Sequence, residues 1–281
     1  MKLSGIVSNL VAFASAAREP RAILDNPHDS AKIPTSYESA VMGRRILALS
    51  KLAELSTVFP APKDDAEVGA SEHRPDGLAG VPIGLMDYVA DCEDEGNPTI
   101  LAIKIATSFK NAEAGSNISL SMRWTPPYAP SRRISYLSRL TSLIPFYPSS
   151  KEESPYDALA RTDNVPDPVP YSAANLPRFS LMGYLEPIRP GPLEAVRLAT
   201  CFVSKHRDAK YWLPGNAIHE AEWVRLVVTK VYWIGGFGDR AYIGWIPLDE
   251  WKNVTEDEWK SIKLPGEKPG WSEWAVDGGE L

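Results

Sequence analysis

Residues 223–251, with the sequence WVRLVVTKVYWIGGFGDRAYIGWIPLDEW, are the stretch that decides the fold. The first part, up to position 233, is mostly β-branched or aromatic, which is the composition of a half-buried β-strand. Gly235, Gly236 and Gly238 then interrupt the run, because glycine adopts positive φ without a steric penalty. Strand composition resumes over residues 240–246, so the stretch predicts a β-hairpin.

Apolar side chains occupy both faces of the first strand of this hairpin. One face carries Val224, Leu226 and Val228, and the other is expected to carry Trp223, Val227, Val231 and Trp233. A strand that is apolar on both faces must be covered on both. A sheet closed into a barrel, or packed against a second subunit, would provide that cover.

The bulk composition limits the classes of function. With 30 basic and 36 acidic residues, the chain has a formal net charge of -6. Binding to nucleic acid phosphates requires a basic surface instead. No apolar run reaches the ~18 residues that cross a bilayer. We therefore expect neither a nucleic acid partner nor a transmembrane segment.

The amino-terminal residues predict export. Residues 1–16 combine Lys2, an apolar middle and the small residues Ala14, Ser15 and Ala16, as a secretory signal peptide does. The alternative is a disordered or helical leader. Cleavage after Ala16 would place the mature protein in the secretory pathway.

Two further features bear on the compartment. Asn117 and Asn253 each begin an Asn-X-Ser/Thr sequon without proline, which predicts N-glycosylation where the asparagine is exposed. Cys92 and Cys201 could pair in an oxidising compartment or remain as buried thiols. Their spacing has no disulfide signature, so free thiols are the favoured interpretation.

The remaining chain alternates strands with a few helices. Residues 17–34 lack periodicity and predict a flexible lead-in, after which Thr35 and Glu38 form a capping box that begins a helix. We predict strands at residues 52–59, 81–90, 99–105, 118–124 and 178–185, a helical connector at 108–115, and a helix at 193–203, where Leu193, Val196, Ala199 and Phe202 recur at helical spacing. The total is about six strands with flanking helices, a mainly β fold.

Residues 125–176 differ in character from the rest. They hold nine of the 25 prolines and show little alternation, which is typical of a long excursion. We interpret them as an insertion within one domain of residues 35–264, followed by a loose tail at residues 265–281. A basic, apolar piece near residues 132–144 could form a short helix on the protein surface or against a membrane or partner.

No catalytic motif stands out in the sequence. It has no zinc-type histidine pair, nucleophile elbow or Walker loop, and the glycine turn at 235–238 lies between strands rather than before a helix. His206 and His219 could act as acid–base groups or metal ligands. Since no carboxylate or cysteine lies at ligand spacing, structural roles are favoured for both.

Several blocks of sequence carry a family likeness. They are residues 201–209 (CFVSKHRDA), 212–215 (WLPG) and above all 231–239 (VYWIGGFGD), with weaker matches at 44–47, 55–57 and 80–82. Over roughly residues 36–252, apart from the insertion, the chain resembles the CREG-type branch of the pyridoxamine-phosphate-oxidase-like proteins. The resemblance implies a split β-barrel, a homodimer with cofactor-type clefts at the subunit interface, and secreted or endolysosomal glycoproteins.

The same resemblance implies a flavin site. Flavin-using relatives hold the FMN phosphate with a serine and two successive basic residues, and this chain has Ser108, Phe109 and Lys110 there. The missing basic residue removes a charge-assisted contact worth about 1.5 to 3 kcal/mol. Trp233 and Arg240 resemble a tryptophan and an arginine of some flavin relatives, so these two with Ser108 and Lys110 are the candidate FMN-binding residues. The alternative is a helix cap at Ser108 and a surface charge at Lys110.

The resulting hypothesis is a secreted or vacuolar CREG-like split-barrel glycoprotein. It would act as a homodimer by binding, with a protein partner as one candidate, and would have no chemistry of its own. The first alternative is an FMN-dependent oxidoreductase, in which the protein orients the flavin. The second is haem binding through His206 or His219.

Overall fold

The computed structural model describes residues 33–61, 75–128, 173–216, 220–236 and 241–269. The predicted signal peptide and lead-in, most of the insertion and the end of the tail lie outside these ranges, and so do His219 and Arg240. None of the described helices is long and apolar enough to cross a bilayer.

The described residues contain seven strands and five α-helices. In chain order they are α1 (Ser36–Leu49), β1 (Leu52–Val58), β2 (Pro82–Ala90), β3 (Thr99–Ile103), α2 (Thr107–Glu113), β4 (Ile118–Arg123), β5 (Arg178–Pro187), α3 (Pro192–Lys205), β6 (Ala221–Ile234), β7 (Ile243–Ile246), α4 (Leu248–Asn253) and α5 (Glu256–Ser261). Short 3-10 helices lie at Ala173–Asn175 and Arg207–Tyr211. Each strand predicted from the sequence is present.

The strands close into a barrel. Their order is β3-β2-β1-β4-β5-β6, and β3 also pairs with β6, so six antiparallel strands form a complete ring. Strand β7 pairs with the last residues of β6 outside that ring. The structure confirms a mainly β split barrel with flanking helices and the hairpin at its carboxyl-terminal end.

A β-bulge at Thr229 sets which side chains of β6 face the core. Val228 pairs with Gly183 and Lys230 pairs with Met182, so Thr229 is the extra residue in the register, and its hydroxyl donates to the backbone oxygen of Met182. A Cβ at Gly183 would lie 1.9 Å from a backbone oxygen of β6. Glycine is therefore required opposite the bulge.

The bulge corrects one expectation from the sequence. A strict period of two places Val231 and Trp233 on the face of Trp223, but the extra residue turns both into the main core beside Leu226. Trp223 instead belongs to a second cluster that includes Phe202 of α3. The predicted assignment of Val231 and Trp233 is wrong for this reason.

Helix α1 packs closely on the carboxyl-terminal helices. It begins at the predicted capping box, in which Thr35 and Glu38 exchange hydrogen bonds of 3.1 and 2.8 Å. A Cβ at Gly43 would lie 2.7 Å from the ring of Trp251, so the helix approaches that ring as only glycine permits. Arg44 is fully buried and donates to the backbone oxygen of Trp251.

A disulfide fastens α3 to the barrel. Cys92, which follows β2, is bonded to Cys201 of α3, with the two Cα atoms 5.8 Å apart. The favoured interpretation of free thiols is wrong, because folding brings together two cysteines that are 109 residues apart in sequence. No local spacing rule relates them.

Only the second half of α3 is covered. Phe202 is buried, and Leu198 is buried beside it. The predicted helix is present, but Leu193 and Val196 at its start are 75% and 62% exposed. The disulfide and the second core cluster hold only the carboxyl-terminal turns, and no described residue covers the first turns.

Candidate functional site

The predicted phosphate-binding residues lie on α2, which packs on β1 and β2. Ser108 is only 1% exposed, and its hydroxyl is hydrogen-bonded to the carboxyl group of Asp87. The helix cap is Ala106, so Ser108 lies within the first turn and does not cap the helix. Lys110 is half-buried on the same helix. Ser108 and Lys110 thus share α2, but residues two apart on a helix point to different sides, and Ser108 faces a carboxyl group that the sequence did not reveal.

Asp87 makes this place a poor fit for a phosphate. Burial raises the pKa of its carboxyl to about 6, and the hydrogen bond from Ser108 acts in the opposite direction. Nearby, Asn111 Nδ2 donates to Thr57 Oγ1 at 3.0 Å, and both side chains are buried. A phosphate at Ser108 would compete for the hydroxyl and would meet a like charge whenever Asp87 is ionised.

Trp233 lies on β6 between β5 and β7. Its indole is fully buried, and its ring centroid lies 5.6 Å from that of Phe179. These contacts make Trp233 part of the barrel core. Its contact with a flavin stays a prediction, and the prediction for Arg240 lies outside the described residues.

Both predicted glycosylation sites are at the surface. Asn117 immediately precedes β4, and Asn253 is the last residue of α4. Each asparagine is exposed. Exposure meets the first requirement for glycan attachment, and glycosylation itself stays a prediction.

His206 has several structural contacts. It is 4% exposed, its ring stacks on Tyr88 with centroids 4.4 Å apart, and Nε2 lies 2.9 Å from the backbone oxygen of Val89. Burial lowers the pKa of the imidazole. Among the described residues, no group of three His, Cys, Asp or Glu side chains could hold a metal ion. The contacts of His206 agree with the structural role that the sequence favours, and a role as haem ligand stays a prediction.

A groove of about 810 Å³ lies elsewhere, on the outer face of the barrel. One row of paired residues crosses it over five strands, in the order Met86, Glu54, Ser121, Ser180 and Tyr232. The two serines form its floor, with their hydroxyl oxygens 3.1 Å apart. Because small side chains lie between larger ones, the groove runs along β4 and β5.

Two arginines face each other at one end of the groove. Arg123 of β4 pairs directly with Arg178 of β5, and Arg178 Nη1 donates to the backbone oxygen of Ala174 at 3.2 Å. Glu54 is the one acidic residue among those lining the groove, and its Oε1 lies 3.5 Å from Ser56 Oγ. Within the described ranges, no acidic side chain forms an ion pair with either arginine. Like charges opposite each other on a sheet are destabilising.

Exposed apolar side chains form the rim of this groove. Met86 is 60% exposed and Leu52 is 45% exposed on one side. On the other side Trp245 is 54% exposed, and its ring lies 5.1 Å from that of Tyr232. An apolar patch of this kind indicates an interaction surface.

Reasoning from sequence missed the groove, although a signal was present. The outward positions of β4, and those of the paired first part of β5, carry only small or basic side chains, Ser119, Ser121 and Arg123 on β4, and Arg178 and Ser180 on β5. Two predicted strands with this pattern indicate a flat, positively charged sheet face. What the sequence does not reveal is that these strands are neighbours.

Comparison with known proteins agrees with the fold. A family model described as CREG, beta-barrel matches residues 34–253. No curated protein matches the chain significantly.

Solved structures with a similar chain path come from several bacteria. The heme binding protein from Mycobacterium smegmatis has 16% identity and a TM-score of 0.43, with 83% of this chain and 63% of that chain covered, so the match spans less than two thirds of that protein. A FAD-binding protein from Mesorhizobium loti has 8% identity and a TM-score of 0.35, covering 66% and 87%. HutZ, a heme storage protein from Vibrio cholerae, has 13% identity and a TM-score of 0.36, covering 68% and 89%. Identities this low carry no information about shared ligands.

Proposed function

The chain belongs to the CREG β-barrel family, and on that premise we propose that it is a homodimeric glycoprotein of the secretory pathway that acts by binding. The binding surface is the groove that Arg123 and Arg178 close at one end. Its partner carries an acidic group beside an apolar surface.

The opposed arginines are the observation that carries this proposal. A guanidinium group stays protonated and holds a carboxylate or phosphate with two parallel hydrogen bonds. Arg123 and Arg178 lie opposite each other without an acidic partner among the described residues, so an added anion would relieve their repulsion. The Met86 and Tyr232 side chains offer apolar and aromatic contact beside them.

The disulfide supports the proposed compartment. Disulfides persist in secreted proteins and in oxidising compartments and are rare in the cytosol, and Cys92 is paired with Cys201 here. The exposure of Asn117 and Asn253 leaves both sequons open to glycosylation. Secretion or delivery to a vacuole or endolysosome follows from this proposal.

The exposed turns of α3 support the homodimer. Leu193 and Val196 are adjacent on the helix surface and largely exposed, and a second copy would remove them from water. Light scattering after gel filtration should then give twice the chain mass of 30.9 kDa before glycans. Leu193→Ser with Val196→Ser should yield the monomer, and a monomeric wild-type protein would contradict this part of the proposal.

An anionic aromatic probe tests the groove. Anilinonaphthalene sulfonate joins a sulfonate to an apolar body, so its fluorescence should rise on binding near Arg123 and Arg178. Replacing both arginines by glutamine should weaken its binding at least about tenfold, since two charge-assisted contacts are lost. Arg189→Gln, an exposed arginine outside the groove, is the matched control. Equal affinity in the groove variant and the control would overturn the assignment of the groove.

A further inference from the structure

The groove needs a counter-charge that the described barrel does not supply. Lys51, Arg123 and Arg178 line it, and Glu54 is the one acid beside them. The carboxylate of Glu54 turns towards Ser56 and lies over the backbone of β2. A groove with excess positive charge, in a chain whose net charge is -6, is suited to an acidic occupant.

The carboxyl-terminal part of the chain leaves the described structure beside this groove. Trp124, which follows Arg123 and lines the groove, donates from Nε1 to the backbone oxygen of Pro265 at 2.6 Å. The backbone amide of Tyr128 donates to the oxygen of Gly266 at 3.3 Å. Glu267 also forms an ion pair with Arg45 of α1. The segment after residue 269, the last that the structure describes, therefore starts close to Trp124 and α1.

Residues 270–281, GWSEWAVDGGEL, have the complementary chemistry. They contain Glu273, Asp277 and Glu280 and no basic residue, and they add Trp271 and Trp274. Carboxylates pair with guanidinium groups, and an indole ring packs well against aromatic and thioether side chains. The segment at residues 129–172 also begins near the groove, but it carries five basic and five acidic residues and offers no net charge.

The length of the acidic segment is sufficient. An extended chain spans about 3.3 Å per residue, so residues 270–281 reach up to ~40 Å. The five strands that the groove crosses, spaced about 4.8 Å apart, extend over ~19 Å. The segment can therefore cross the groove from its exit near Trp124.

We propose that residues 270–281 dock in the groove of their own chain, with acidic side chains at Arg123 and Arg178 and a tryptophan against Tyr232. The inference rests on the proposed function in so far as both use the same groove. A partner has to displace this segment before it can bind. The acidic tail therefore lowers the apparent affinity of the groove for that partner.

A labelled peptide tests the docking. A fluorescein-labelled peptide of residues 270–281 is titrated into three forms of the full chain and followed by fluorescence anisotropy. The forms are the wild type, the variant E273Q/D277Q/E280Q, and that variant with R123Q and R178Q added. A peptide whose three acidic residues are replaced by glutamine is the matched control.

The peptide should bind the tail-neutralised chain at least about tenfold more tightly than the wild type, because the tail of the wild type competes at high effective concentration. Adding the arginine changes should abolish that binding, and salt should weaken it. The inference would be overturned if the peptide bound the wild type and the tail-neutralised chain with equal affinity, or bound neither. It would also be overturned if replacing the arginines left the binding unchanged. A wild-type dimer that becomes monomeric when the tail is neutralised would place the tail in a second copy and overturn the docking within one chain.

The outcomes separate this inference from the proposed function. If the arginine variant loses the sulfonate probe but tail neutralisation leaves both probe and peptide affinity unchanged, the groove binds anions and the tail inference fails alone. If the arginine variant keeps full probe affinity, the proposed binding surface fails as well.

Discussion

Cys92 and Cys201 lie 109 residues apart in sequence and are joined by a disulfide that fastens α3 to the end of β2. A cross-link of this span restricts the unfolded chain, by about 4.7 kcal/mol for a loop of about 100 residues in the chain-entropy model. Replacing both cysteines by serine should therefore lower the free energy of unfolding by about 2 to 5 kcal/mol in urea denaturation. The wild type in reducing agent should behave like the variant. Unchanged stability in both would show that the bond does not hold α3.

Gly183 should tolerate no side chain. A Cβ there would lie 1.9 Å from the backbone oxygen of Val227, so Gly183→Ala must shift the bulge at Thr229 and should destabilise the protein by about 1 to 3 kcal/mol. Gly191→Ala is the matched control, because no atom lies within 4 Å of a Cβ at that position. Thermal melting of the two variants makes the comparison. A loss of stability that is equal in both would contradict the role of Gly183 in the bulge.

Local patterns explain why much of the barrel could be predicted from the sequence. The capping box at Thr35 and Glu38 involves residues three apart, and the hairpin of β6 and β7 depends on alternation broken by glycines. These signals are complete within a short window. The prediction that the strands close into a ring came from the family likeness, because the pattern of a single strand does not show which strands pair.

The features that could not be predicted depend on distant pairings. Thr229 becomes a bulge only because Gly183 lies opposite it, and the period of two shifts from that point on. Asp87 and Ser108 meet because α2 packs back on β2, so the sequence showed a phosphate-type serine without its carboxyl neighbour. Likewise, the sequence did not show that Arg123 pairs with Arg178, because residues 124–177 lie between them in the chain.

The contribution of Asp87 to the free energy of unfolding should be more favourable at mildly acidic pH than at neutral pH. Burial is the main cause that raises its pKa to about 6, above the ~3.9 of an exposed aspartate. Between about pH 4 and pH 6 the folded state then binds more protons than the unfolded state, so this group contributes stability as pH falls from 6 towards 4. Asp87→Asn should remove that contribution. The melting temperature of the wild type minus that of the variant should therefore increase as the pH falls from 7 to 4.5.

Other groups act over the same range, so the comparison uses variants. Burial also raises the pKa of Asp91 to about 6, against the opposing effect of the Arg44 guanidinium. His206 works in the other direction, because burial lowers its pKa and stability is lost as pH falls through the range where the unfolded histidine takes up a proton. Asp249→Asn, at an exposed position, is the control. If the difference between wild type and Asp87→Asn did not change with pH, Asp87 would not be the group responsible.

The carboxyl group of Asp87 also allows a test of the alternative that the protein binds FMN. Because Ser108 is bonded to Asp87, wild-type protein titrated with FMN should retain no flavin absorbance through gel filtration. Asp87→Asn removes the like charge and should improve FMN binding if a phosphate does enter at Ser108 and Lys110. Adding Lys110→Ala should then cancel the improvement, because the remaining basic contact is lost. Tight FMN binding by the wild type that Lys110→Ala abolishes would contradict the poor fit and favour the oxidoreductase.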